Sequence, residues 1–265
     1  MIRVGIGGWK YPPWRGTFYP KALAQEKELE FASRALTSIE INATYHRLQK
    51  PESFRKWADT APDGFQFAVK AWQFATAKKN LGEGAPLVDK FLNSGFTELG
   101  AKLGPLLWQF TPARKFEPEN FVAFFALLPK ELNGLALRHA IEVRHESFLV
   151  PDFIALARQH NVAVVLADSP KYPLLADTTA DFVYMRLQRT EDRVATGYTA
   201  RALKQWAERA QALESGATPV DLPSLTKAPA TKSKKKRDVF VYFISGAKVR
   251  APAAAQAMIE LVKNS

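Results

Sequence analysis

Cysteine is absent from the 265 residues, which removes disulfides, thiolate metal sites and cysteine nucleophiles at once. Histidine is nearly as scarce. His46, His139, His145 and His160 are the only four, and none stands in the H-E-x-x-H spacing of a zinc hydrolase. No apolar stretch approaches the roughly 20 residues that cross a bilayer. The opening run Met1-Ile2-Arg3-Val4-Gly5-Ile6-Gly7-Gly8 is too short and too glycine-rich for a secretion signal and reads directly as a strand. Its continuation, Trp9-Lys10-Tyr11-Pro12-Pro13, lacks the G-x-G-x-x-G turn that opens a dinucleotide site. These absences lead us to expect a cytoplasmic protein without a membrane contact. The sequence leaves any cofactor unknown, and no metal site is expected.

Apolar residues make up 47% of the chain, enough for a large core, and the length suits one β/α barrel. The net charge is +11, and much of it is local. Lys227, Lys232, Lys234, Lys235, Lys236 and Arg237 crowd one proline-containing stretch, Gly216 to Arg237, against the single acid Asp221, within the segment 216–238. Its composition predicts a flexible basic loop. A basic balance favours anionic partners, and the run 227–237 suits a nucleic-acid backbone or, more simply, a solvated loop.

Short apolar runs alternate with amphipathic ones. Strands are expected near 2–8, 38–42, 65–70, 103–109, 136–143, 162–168, 181–187 and 239–244. Helices are expected near 21–35, 51–59, 86–99, 117–128, 151–160, 199–214 and 252–263. A short stretch with Tyr172 and Leu174-Leu175 stands where a sixth helix would fall. Repeated strand-helix order implies parallel strands joined by right-handed crossovers. Eight units predict a single (β/α)8 TIM-type barrel, a parallel eight-stranded α/β domain over 1–265. An open doubly wound sheet is the alternative.

Period-two alternation assigns the faces of each strand. Ile39, Ile41, Phe67, Val69, Ile141, Val143, Val183, Met185 and Leu187 fall on one face, suited to covering helices. Glu40, Asn42, Lys70, Glu142, Arg144, Tyr184 and Arg186 fall on the other, which grows polar toward the strands' C-terminal ends. That is the end at which barrel enzymes place their sites.

These residues sit in longer stretches that are familiar together. They are Gly7-Gly8-Trp9-Lys10-Tyr11, Ile39-Glu40-Ile41-Asn42-Ala43-Thr44-Tyr45, Phe65-Gln66-Phe67-Ala68-Val69-Lys70-Ala71, Gln109-Phe110-Thr111-Pro112, Ile141-Glu142-Val143-Arg144-His145-Glu146-Ser147-Phe148, Ala167-Asp168-Ser169-Pro170 and Val183-Tyr184-Met185-Arg186-Leu187. On them the chain resembles the YecE-like proteins, domain of unknown function family 72. The resemblance runs almost end to end. It implies a TIM-type barrel and no established activity. The chain departs from the family pattern at three places. Ala77 follows Thr76 where a histidine is usual, Gln188-Arg189 replaces a His-Gly pair, and Ser245 replaces an asparagine.

Candidate chemistry follows from the polar face. Glu142 and Asp168 end neighbouring strands and are the candidate acid-base pair. The structural alternative is an ion-pair network. Lys70 is the third candidate catalytic residue, as a Schiff-base amine or, more simply, an anion holder. Arg144 and Arg186 offer forks for carboxylate or phosphate, balanced against Glu40, Glu142 and Asp168. Asn42 and Gln109 would orient hydroxyls. Trp9, on the parity of Gly5 and Gly7, and Tyr45 offer flat faces to a ligand. His139 falls mid-strand on the apolar face and reads as a core residue. The functional expectation is an enzyme, a hydrolase or an isomerase or lyase, acting on a small polar or anionic, sugar-like or phosphorylated substrate. The alternative is a non-catalytic metabolite- or nucleic-acid-binding protein.

Overall fold

A computed structural model describes residues 1–227 and 236–263. The strands, in chain order, are β1 (Ile2–Gly7), β2 (Ser38–Ile41), β3 (Gln66–Lys70), β4 (Leu103–Gln109), β5 (Glu131–Leu132), β6 (Leu135–Ala136), β7 (His139–Glu142), β8 (Ala163–Val164), β9 (Leu166–Asp168), β10 (Phe182–Leu187) and β11 (Asp238–Phe243). The α-helices are α1 (Glu28–Ala35), α2 (Ala43–His46), α3 (Pro51–Thr60), α4 (Ala85–Leu92), α5 (Pro118–Ala126), α6 (Pro151–Gln159), α7 (Ala200–Glu214) and α8 (Ala251–Lys263).

Nine strands form one parallel sheet in the order β8-β7-β4-β3-β2-β1-β11-β10-β9. Its two ends are the halves of one strand, interrupted at Val165. That residue still donates its amide to the Ile141 carbonyl at 2.9 Å. β8 and β9 therefore count as one barrel strand, and the sheet comes round on itself as the expected eight-stranded α/β barrel. No helix occurs between β9 and β10, as the Tyr172 segment implied.

The helices start where local chemistry permits. Proline occupies the first position of α3, α5 and α6, where its missing N–H costs nothing. The Thr199 side chain accepts from the Ala202 amide and caps α7. Two boundaries differ from expectation. The region 136–143 is not one strand: β5 and β6 form a separate antiparallel hairpin before β7 begins. Its turn is Asn133-Gly134, both at positive φ (51° and 75°), the backbone a tight two-residue hairpin requires. The helix expected over 86–99 stops at Leu92, and a 3-10 segment over 96–102 follows.

Two packed clusters fill the molecule. The larger lies between sheet and helices and holds Ile39, Ile41, Phe67, Val69, Ile141, Val143, Val183, Met185 and Leu187, the residues assigned to the outer face. His139 belongs here too. Its Nδ1 accepts from the Trp108 indole at 3.1 Å while Nε2 faces the Pro129 carbonyl at 2.7 Å. Burial pushes its pKa down to about 4, with the carbonyl contact pulling the other way.

The smaller cluster is the barrel interior. Ala68, Ala140, Ala163 and Ala167 on one side face Phe182, Tyr184, Phe240 and Tyr242 on β10 and β11, so rings from two strands fill the space that small residues leave on the others. Gly5 is required here, because a Cβ would stand 1.9 Å from the Ser38 carbonyl oxygen. The interior closes at its N-terminal end with Arg138, which donates to Asp238 at 2.9 Å and to Gln66 at 2.8 Å.

Candidate functional site

At the C-terminal end of the barrel, β2, β3, β4, β7 and β10 each deliver one polar side chain to the interior: Glu40, Lys70, Gln109, Glu142 and Arg186. All are buried, Glu40 and Glu142 completely. Arg186 is the hub. Its Nε and Nη2 donate to the two oxygens of Glu40 at 3.1 and 3.0 Å, and its Nη1 donates to Glu142. Glu40 also accepts from the Tyr184 hydroxyl at 2.7 Å. Glu142 also accepts from Gln109 Nε2 at 3.1 Å and from Arg144 Nε at 2.8 Å. Charges this deeply buried persist only when they are paired and hydrogen-bonded on every side.

The electrostatics follow from that geometry. Burial would raise the Glu142 carboxyl, but Arg186 and Arg144 outweigh it and hold the pKa at about 2. Burial likewise opposes the charge on Arg186, yet Glu142 and Glu40 keep its proton more firmly than that of a free guanidinium. Burial and the neighbouring Glu40 carry the Tyr184 hydroxyl well above its ordinary range.

Lys70 differs from the rest. Arg186 and Arg144 offset Glu40 and Glu142, and the Lys70 ammonium is left over. It is 8% exposed, and among the described residues it has neither an ion pair nor a hydrogen-bond acceptor. Its Nζ lies 3.7 Å from the centre of the Tyr45 ring. Burial first, then the charge of Arg186, push its pKa down to about 8, with Glu40 and Glu142 pulling the other way. Arg144 repeats the arrangement. Its guanidinium stands 4.5 Å over the Tyr172 ring, and its terminal nitrogens have no partner among the described residues.

The other expected site residues are placed differently. Asn42 sits at the rim, its amide 3.4 Å from the Glu40 carbonyl oxygen. Asp168 is not brought to Glu142. It shares the parity of Val164 and Leu166, which pack in the outer cluster, whereas Val165 and Ala167 line the interior. There it accepts from Arg189 Nε at 2.8 Å and from the Tyr198 hydroxyl at 2.9 Å. The departure from the family pattern at Arg189 is thus the residue that engages Asp168. Trp9 does not enter the interior either. Gly8 turns the chain at φ 72°, so strand parity ends before Trp9, which packs edge-on against Trp57 at 5.2 Å.

Sequence reasoning missed Arg189, Tyr198 and Tyr172, all on loops where no periodicity applies. Of the basic segment, residues 228–235 lie outside the described residues, and with them Lys232, Lys234 and Lys235. Its described flanks lie at the barrel's N-terminal end. The Asp177 carboxylate accepts from the Leu225 and Thr226 amides at 2.8 and 2.9 Å, and Lys236 approaches Glu214 at 3.6 Å. No helix among the described residues is long and apolar enough to cross a membrane.

Three relatives share this architecture or sequence. A DUF72 family protein from Thermotoga maritima superposes with a TM-score of 0.75 at 22% identity, over 99% of both chains. The UPF0759 protein YunF of Bacillus subtilis is 28% identical over 158 residues, which is 58% of this chain and 54% of its own length. The UPF0759 protein YecE of Escherichia coli is 29% identical over 151 residues, 56% of this chain and 50% of its own length. The matched region thus spans about half the length of these two curated relatives. The DUF72 model, described as a protein of unknown function, matches residues 3–265, and the chain belongs to that family.

Proposed function

We propose that this protein is an enzyme that holds a small anionic substrate at the C-terminal mouth of the barrel and uses the Lys70 amine as its acid and base. The observation that carries this reading is the buried Lys70 side chain, whose ammonium lies on the Tyr45 ring and has no ion pair or hydrogen-bond acceptor among the described residues. A buried cation in that state is stabilised by an incoming anion. The free nitrogens of Arg144 supply a second set of donors for a carboxylate or phosphate. An amine whose pKa lies near 8 exchanges protons close to neutrality, which suits proton transfer beside an anionic group, the chemistry of an isomerase or lyase.

In this reading Glu142 is not the acid. Held ionised by two guanidiniums, it fixes Arg144 and Arg186, while Glu40 and Gln109 complete the frame. Asn42 and Tyr45 line the approach, and Asp168 contributes only through Arg189. Contact of nucleic acid with the segment 227–237 is a separate reading that rests on charge alone.

The test is a thermal-shift screen of sugar phosphates and small carboxylates against the wild type, Lys70→Met and Arg144→Gln. A ligand at 100 times its dissociation constant adds about 2.7 kcal/mol. The expected hit stabilises the wild type and neither variant, and its affinity falls as pH rises through about 8, where Lys70 loses its charge. A hit that binds Lys70→Met as well as wild type overturns the proposal.

A further inference from the structure

Outside the charged cluster, the barrel carries a second concave feature. A cleft of about 530 Å³ opens between the loop after β1, α1, α2 and the outer side of α3. That volume lies within the range of small-molecule sites, roughly 300–1,000 Å³. Its walls include Trp9, Lys10, His46, Arg47, Lys56 and Trp57. Lys10, Arg47 and Lys56 are exposed, and among the described residues their side chains have no ion pair or hydrogen bond. One carboxylate, Glu26, faces them. Other exposed cations among the described residues, Lys21, Lys50 and Lys115 for example, are also without an ion pair or side-chain hydrogen bond. Lys10, Arg47 and Lys56 differ from these in lining one cleft together.

The aromatic component is equally specific. Trp57 is half-buried, braced edge-on by Trp9 at 5.2 Å and by Phe54 at 5.2 Å, so part of a rigidly held indole borders the cleft. A sugar or a simple carboxylate would not use three cations, and an apolar ligand would use none. A flat ring against the indole with two or more phosphates among Lys10, Arg47 and Lys56 would use all of these features.

We infer that this cleft binds a nucleoside di- or triphosphate, with its base against Trp57 and its phosphates held by Lys10, Arg47 and Lys56. The site is separate from Lys70, with Tyr45 between them: the Tyr45 ring meets Lys70 on its face and lies 5.1 Å from the His46 ring, whose residue lines the cleft.

The test is calorimetric titration of the full chain with ADP, adenosine and inorganic pyrophosphate at low and moderate salt. ADP should bind more tightly than either fragment, with an affinity that falls as salt rises. Lys56→Glu and Arg47→Glu, both at exposed positions, should each weaken ADP at least tenfold. Trp57→Leu should weaken ADP while leaving pyrophosphate unchanged, and ADP should bind Lys70→Met as it binds the wild type. Equal affinity for ADP and pyrophosphate overturns the base contact. ADP binding that survives both charge reversals, or that disappears in Lys70→Met, overturns the location. Should Trp57→Leu fail to fold, the ratio of ADP to adenosine affinity in Lys56→Glu decides, since only a phosphate contact changes it.

Discussion

Arg186→Met removes the one cation that Glu40 and Glu142 share. Three charge-assisted hydrogen bonds go with it, leaving Glu40 with the Tyr184 hydroxyl alone and Glu142 with Arg144 and Gln109. Lys70 also remains nearby, but among the described residues it makes no hydrogen bond to either carboxylate. Removing one partner of a buried ion pair typically costs about 3–5 kcal/mol. At roughly 2–4 °C per kcal/mol for a domain approaching this size, the loss near pH 7.5 is on the order of 10 °C in melting temperature.

The pH dependence supplies the sharper test. In the wild type, Glu142 has a folded pKa depressed from 4.5 to about 2. Its contribution is present above 4.5 and lost as pH falls toward 2. In the variant, Glu142 loses the guanidinium that does most to hold its pKa down while burial still opposes its charge, so its folded pKa rises. The proton it takes up stabilises the fold at low pH, and that stabilisation is lost as pH rises. The melting-temperature gap between variant and wild type is therefore smaller at pH 5 than at pH 7.5. The charge-balanced double variant Glu40→Gln/Arg186→Met should recover part of the loss, because no carboxylate is left without a counter-ion. Circular-dichroism melts of the three proteins at the two pH values read this directly. A gap independent of pH, or a double variant less stable than Arg186→Met, refutes the account.

Two further outcomes follow from single residues. His139, neutral when folded with a pKa near 4 against 6.5 in the open chain, should withdraw about 3 kcal/mol of stability as pH falls from 6.5 to 4, at about 1.4 kcal/mol per unit. Denaturant titrations of His139→Gln, whose amide can serve both of its hydrogen bonds, should lack that step. Ser245 holds φ 68°, a conformation that disfavours most side chains, so Ser245→Gly should gain about 0.5–1 kcal/mol in the same assay.

The cluster was legible because strand alternation is strict. Glu40, Lys70, Glu142 and Arg186 all keep the parity that the sequence assigns them, and the structure draws them to one end of the barrel together with Gln109. Asp168 was not legible. Val162-Ala163-Val164-Val165-Leu166-Ala167 is apolar on both faces, as buried parallel strands are, so no alternation revealed that Asp168 points outward. Trp9 was misplaced because parity was carried through Gly8, where a positive φ ends it. The hairpin had a signal, Asn133-Gly134, but Ala136 of its second strand falls inside the strand expected over 136–143. The asparagine usual at position 245 has a backbone explanation too, since asparagine tolerates the left-handed region better than most residues. What Arg189 does with Asp168 depends on a loop path that periodicity does not describe.

The break at Val165 gives the barrel a seam. Every other wall strand is gripped along both edges, but here β7 holds only the first half and β10 only the second. If the wall parts anywhere, it parts there, and the cylinder becomes a ribbon that still keeps its other ladders intact. Glu142 stands on β7 and Arg186 on β10, one on each side of that seam. Their ion pair is therefore a clasp across the weakest stretch of the wall. A buried pair that adds little net stability on its own can still decide whether the ring of strands stays shut.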